Sequence, residues 1–247
     1  MKIQLVSDLH IEYLSEDVNP LDLITPSADI LVLAGDIGSL YKMHQLKKFL
    51  TTLSTHFKVI LYVLGNHEFY YYTESIQNNM EYLYKCANNM MDDIKNLVIL
   101  NCNSVIIGNT CISGATLWSK PEIKIPKYII RINGISNELY ESMHIKDLGY
   151  IEKMIDYCQD NNLKLIVVTH YPPTREVLGD TVKRNVSLYI NNLEYLLSKD
   201  KIHTWICGHV HKNFDFISKD GTRVIGNQAG KPRENIKTFI KDLTIDI

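Results

Sequence analysis

No two of the five cysteines stand close enough in the chain to suggest a shared purpose. Cys86, Cys102, Cys111, Cys158 and Cys207 are odd in number and widely spaced, with no Cys-x-x-Cys pair. That argues against a disulfide framework or a thiolate zinc site and fits reduced thiols in an intracellular compartment. No apolar run approaches the ~20 residues that cross a bilayer. No leader is expected. Met1-Lys2 runs straight into apolar residues, leaving no room for a signal peptide, which predicts a soluble cytoplasmic protein away from membranes. Charge of one sign is not in excess: 26 Lys and Arg stand against 28 Asp and Glu, a formal net charge of -2. No global field therefore draws the chain to nucleic acid or anionic lipid. Repeats, low-complexity tracts and linkers are absent, so residues 1–247 are expected to form one domain, with 45% apolar residues for its core.

What the chain does have is a recurrent ending to its apolar runs. Ile3-Gln4-Leu5-Val6 leads to Asp8-Leu9-His10, and Ile30-Leu31-Val32-Leu33-Ala34 leads to Gly35-Asp36. Val59 to Leu64 leads to Gly65-Asn66-His67-Glu68. Residues 163–168 lead to Thr169-His170, and Thr204 to Cys207 leads to Gly208-His209-Val210-His211. Between the runs, helical spacing predicts helices over 42–55, 74–93, a stretch around Leu148 to Cys158, and a short one over 189–197. Gly108-Asn109 and Asp220-Gly221 mark hairpins, and 238–245 is expected to close a sheet. This is the texture of an α/β layered domain. From 119 to 143 the pattern dissolves around Pro121, Pro126 and Gly134, which leaves either a lid or an inserted loop.

In open α/β sheets ligands gather beyond the carboxyl ends of the strands. Asp8, His10, Asp36, Asn66, His170, His209 and His211 all stand at such ends. If the chain stays extended there, Asp8 and His10 point the same way, as do His209 and His211, and each pair can grip one ion. Seven ligands exceed the ~4 of a tetrahedral zinc site. They suit two ions sharing the Asp36 carboxylate, which would hold and acidify a water and aim it at phosphorus. Imidazole mixed with carboxylate and amide oxygen favours manganese, iron or zinc over magnesium or calcium. Arg175, Lys183 and Arg184 follow His170 in one loop, where they are either a solvated surface or a grip on phosphate oxygens. Asn227 and Gly230 are candidates for a pocket rim, though a plain turn explains them equally.

Asp8-x-His10, Gly35-Asp36, Gly65-Asn66-His67-Glu68, His170 and Gly208-His209-x-His211 together resemble the ordered motif set of the calcineurin-like metallophosphoesterases. The resemblance implies a four-layer α/β/β/α sandwich of two mixed sheets flanked by helices. It also implies two divalent metals, with manganese first and iron or zinc as the others. Asp8, His10, Asp36 and His211 would hold one; Asp36, Asn66, His170 and His209 the other. His67 would be the catalytic acid rather than a ligand, with Glu68 a candidate to steady it. The Asp-Arg-Gly of protein Ser/Thr phosphatases is replaced by Asp36-Ile37-Gly38. Position 39 is Ser where purple acid phosphatases carry a ligand Tyr. The expected activity is hydrolysis of a phosphodiester or nucleotide-like small phosphoester. A nuclease and a non-catalytic metal-binding scaffold are the alternatives; near-neutral charge weighs against the first, and the full ligand set against the second.

Overall fold

The computed structural model of the chain describes residues 1–73, 78–181 and 184–247. In chain order the first strands are Lys2–Val6 (β1), Ile30–Ala34 (β2), Val59–Val63 (β3), Leu97–Ile99 (β4), Asn103–Ile107 (β5) and Thr110–Ala115 (β6). Lys164–Thr169 (β7), Thr204–Ile206 (β8), Phe214–Ile217 (β9), Arg223–Gly226 (β10) and Thr244–Asp246 (β11) follow. The helices are Met43–Ser54 (α1), Met80–Asp93 (α2) and Asn137–Asp160 (α3).

The strands make two sheets, ordered β11-β1-β2-β3-β4 and β5-β6-β7-β8-β10-β9. β1 to β4 are parallel and β11 adds antiparallel to β1. In the second sheet β6, β7, β8 and β10 are parallel, flanked by antiparallel β5 and β9. Both sheets are thus mixed, and the parallel strands aim their carboxyl ends at one region.

Alternation along each strand builds the layers. On β2, Ile30, Val32 and Ala34 face a core shared with Ile166 and Val168 of β7. Leu31 and Leu33 point the other way, against Leu46, Phe49 and Leu50 of α1 and Leu83 of α2. On β7, Leu165 and Val167 meet Ile151, Ile155 and Cys158 of α3. The sheets therefore pack face to face with helices outside both, the α/β/β/α layering expected from the resemblance. Burying both faces of each central strand explains why those strands read as continuous apolar runs.

Three expected elements differ. The helix over 189–197 is replaced by single 3-10 turns at Val186–Leu188 and Glu194–Leu196. The backbone N–H groups of Asn191 and Leu193 donate to the carbonyls of Pro172 and Pro173, so they are not available to a helical ladder. The irregular stretch 119–143 is also shorter than its composition suggested. Ser136 accepts a hydrogen bond from Leu139 N and starts α3 at Asn137. Residues 74–77 of the expected helix 74–93 lie outside the described residues; from Met80 on it forms, capped by Asn79. The closing strand is confined to Thr244–Asp246. Gly108-Asn109 does turn the β5–β6 hairpin, with Ile107 paired to Thr110.

Candidate metal centre

The seven residues at the strand ends converge, but not by staying extended. Asp8, His10, Asp36, His209 and His211 all take left-handed backbone conformations, with φ of 54°, 48°, 52°, 73° and 53°. A non-glycine residue in that region costs roughly 1–2 kcal/mol, and such strain gathers at functional sites. The chain thus turns sharply as each strand ends, and these turns, rather than strand alternation, bring the side chains together.

Two groups result. Asp8, His10, Asp36 and His211 each offer an atom within 4.8 Å of the others, as do Asp36, His170 and His209. Asp36 belongs to both. Asn66 joins the second group, its Oδ1 3.1 Å from His170 Nε2. Close backbone approach is part of the design. A Cβ on Gly65 would stand 2.3 Å from Asp36 Oδ1, and one on Gly35 2.3 Å from His170 Nδ1. No larger residue fits either position without displacing a ligand.

The arrangement makes physical sense only around positive charge. His170 Nδ1 donates to the Ala34 carbonyl at 3.0 Å, which leaves Nε2 as the atom facing Asp36 Oδ2 at 3.3 Å and His209 Nδ1 at 3.1 Å. His10 Nδ1 meets Glu12 at 3.1 Å and His211 Nδ1 meets Glu234, so their Nε2 atoms face each other at 3.0 Å. Acceptors crowded onto acceptors repel unless a cation or proton lies among them. The electrostatics agree. Burial opposes charge on both Asp36 and His170, yet His170 holds Asp36 well below the ordinary carboxylate range, and Asp36 lifts His170 to about 9. Protons gathered this way are the ones a metal displaces on binding. The residues present therefore fit two cations bridged by Asp36, and a carboxylate behind a ligand histidine is the usual outer support of such a site.

His67 stands beside this centre at the base of a cavity of about 340 Å³. Its backbone N–H donates to Asp36 Oδ1 at 2.8 Å, and its ring Nδ1 lies 3.2 Å from Glu12 Oε1. Glu12 is the residue that sequence reasoning missed. Its buried carboxylate oxygen serves His10 and His67 together, carried there by the 3-10 turn Ile11–Tyr13. The spacing Asp8-x-His10-x-Glu12 was the available signal. Glu68, in contrast, turns its carboxylate to the backbone and to Tyr62. It accepts from Gly65 N at 2.7 Å, Ile37 N at 2.8 Å, Asp36 N at 3.1 Å and Tyr62 OH at 2.6 Å, so it fixes the loop that presents Asp36.

The residues suggested for substrate sit elsewhere. Arg175 is exposed at the start of the 3-10 turn Arg175–Leu178 and does not line the cavity. Lys183 lies outside the described residues. Arg184 lines a small side cavity of about 70 Å³ next to His209 and Tyr189. Asn227 is buried and cannot shape a rim. Its Nδ2 donates to the Leu5 and Ile240 carbonyls and its Oδ1 accepts from Ile240 N, which ties the C-terminal segment to β1. The cations that do line the cavity are Arg131, from the irregular segment, and Lys231, from the C-terminal one.

Residues 1–213 match the family model for calcineurin-like phosphoesterases. The chain belongs to that family. An uncharacterized protein of Acanthamoeba polyphaga mimivirus is 28% identical over 94% of this chain and 92% of its own. Among solved structures, a phosphopantetheinyl hydrolase from Mycobacterium tuberculosis superposes with a TM-score of 0.76 at 17% identity, covering 100% of this chain and 95% of that one. A dimetal phosphatase from Danio rerio gives 0.54 at 14% identity over 92% and 86%. At such identities these two speak for the fold. Glu234 and Lys231 line the cavity from beyond residue 213, where the family match ends. No helix among the described residues is long and apolar enough to cross a membrane.

Proposed function

We propose that this calcineurin-like phosphoesterase hydrolyses a phosphodiester or nucleotide-like small phosphoester with the help of two divalent cations. The observation that carries the reading is the pair of ligand groups sharing Asp36, with imidazole and carboxylate acceptors facing one another. Asp8, His10, Asp36 and His211 would hold one cation; Asp36, Asn66, His170 and His209 the other. Cations bound there supply charge to the phosphate oxygens and acidify water. The donor set favours manganese, iron or zinc over magnesium or calcium, and the family resemblance puts manganese first.

The chain's own contribution to the reaction is proton delivery and exclusion of alternatives. Hydrolysis adds a water oxygen to phosphorus and a proton to the leaving oxygen as the ester P–O bond breaks. His67 is the group placed to give that proton. Glu12 engages its Nδ1 and so orients the ring, whose other nitrogen is left for the leaving oxygen. Tyr70 packs on the same ring at 4.6 Å between centroids and limits its rotation. Arg131 approaches from the irregular segment and serves the non-bridging oxygens.

Purified protein loaded with manganese is expected to cleave activated aryl phosphodiesters or phosphomonoesters. Elemental analysis of the same sample is expected to return two metal ions per chain. Absence of turnover across a panel of both ester classes, including a phosphopantetheinyl diester, would remove this reading.

A further inference from the structure

The cavity above the metal centre holds cations that one phosphoester does not use up. On the outer surface, several cations are matched to carboxylates: Lys47 with Asp93 at 2.7 Å, Lys58 with Asp29 at 2.8 Å and Arg223 with Asp215 at 2.7 Å. Arg131 and Lys231 are arranged differently. Among the described residues neither forms an ion pair, and each lies near tyrosine rings instead. Arg131 Cζ is 5.7 Å from the Tyr72 ring centroid and 6.0 Å from that of Tyr70. Lys231 Nζ is 6.0 Å from the ring of Tyr13. Those rings adjoin the catalytic side of the cavity: Tyr70 and Tyr13 stand 4.6 and 6.2 Å from His67. An aromatic face stabilises a cation without neutralising it, so the charge is still there for an anion.

Nor does the cavity end at the metal centre. A second space of about 580 Å³ adjoins it, sharing Tyr13, Lys231 and Glu234 and lined also by Pro232 and Arg233. Glu234 shares that lining, with its Oε2 meeting His211 Nδ1 and Lys231 N, so the space carries two cations against one carboxylate. Lys231 and Arg233 are thus two cations on a groove next to the reaction centre, with Tyr13 lining both, while Arg131 lines only the metal side. Both spaces have the size of small-molecule sites, which run roughly 300–1,000 Å³.

We propose that the substrate is a small molecule carrying two phosphate groups. Resting on the phosphoesterase reading, the phosphoester to be cleaved lies at the metal centre beside Arg131. The second phosphate lies between Lys231 and Arg233, and the part of the molecule joining them passes over Tyr13. The C-terminal segment that carries Lys231 and Arg233 is then a specificity element.

The test compares an adenosine bisphosphate, phosphorylated on both sides of its ribose, with adenosine monophosphate. The expected kcat/KM favours the bisphosphate by about tenfold or more, the yield of one charge-assisted phosphate contact. In the double variant Lys231→Gln/Arg233→Gln the ratio is expected to fall to near one. A ratio near one in the parent, or a preference that survives the double variant, overturns the proposal. Because the readout is a ratio, general damage to the fold does not imitate it. Calorimetry of both nucleotides on metal-free protein keeps the two readings apart. If no ester is turned over, the phosphoesterase reading fails. A bisphosphate preference in binding, lost in the double variant, then still supports the subsite, and equal binding of the two nucleotides overturns it.

Discussion

The two ligand groups share Asp36 but are supported in different ways. In the first, His10 and His211 are each backed by a carboxylate, Glu12 and Glu234. In the second, His170 is backed by the main-chain carbonyl of Ala34 and faces the neutral amide of Asn66. His170 is wholly buried, whereas 17% of the His211 side chain is exposed. A carboxylate behind an imidazole raises its basicity; a carbonyl at the end of β2 fixes it through the sheet itself. A cation in the first group would therefore draw affinity from side chains that mutation can remove one at a time. The second is written into the sheet ends, where a change of support means a change of fold.

The most destructive test removes what the groups have in common. Asp36→Ala is expected to reduce turnover to background and bound metal toward none, as measured by elemental analysis after dialysis. An Asp36 variant that kept both ions would dissolve the idea of a bridge. Next in size is His67→Ala. Its expected loss in kcat is roughly a hundredfold to ten-thousandfold, with metal content unchanged, because a proton donor and not a ligand is lost. Equal rates in variant and parent would take His67 out of the mechanism.

Much of this centre was visible in the sequence, and the reason is physical. Strands buried on both faces must be continuously apolar, so Asp8, Asp36, Asn66, His170 and His209 stand out where the apolarity stops. The same runs gave the α/β texture, while the four layers came from the family resemblance. What stayed hidden depends on contacts between distant residues or on backbone competition. The Asp8-x-His10-x-Glu12 spacing hints at the contact with His10, but Glu12 meets His67 across 55 positions and Glu234 meets His211 across 23, pairings that spacing does not show. The left-handed turns that aim the ligands break the extended geometry on which strand spacing relies. Arg131 lies in a stretch with no periodicity at all. The segment 189–197 shows helical spacing, but its amide donors are taken by Pro172 and Pro173.

Glu12 sharpens the comparison because it serves both the first ligand group and the acid. Glu12→Gln keeps the shape and removes the charge. Loss of such an outer partner typically costs about ten- to a hundredfold in metal affinity or activity. A further signature separates orientation of His67 from simple metal loss. At saturating manganese the residual defect is expected to be larger for alkyl esters, which need the proton, than for p-nitrophenyl esters, which leave readily. Equal defects on both would confine Glu12 to supporting His10.

The mildest change is Glu234→Gln, which touches the first site alone. The segment that carries it is held by Asn227 to Leu5 and Ile240, so the backbone is expected to stay in place when the carboxylate is lost. His211 then loses its partner while His10 keeps Glu12. The expected result is about a tenfold weaker affinity for one of the two ions and no change for the other, read as two separated steps in a manganese titration. Thermal unfolding provides an independent reading. Ligand binding stabilises by about 2.7 kcal/mol at a hundred times the dissociation constant, so at fixed manganese a site weakened tenfold gives a smaller rise in Tm than the parent shows. Weakening of both ions to the same extent would mean that the two groups are not separately supported, and that the shared Asp36 carboxylate outweighs the difference in their outer partners.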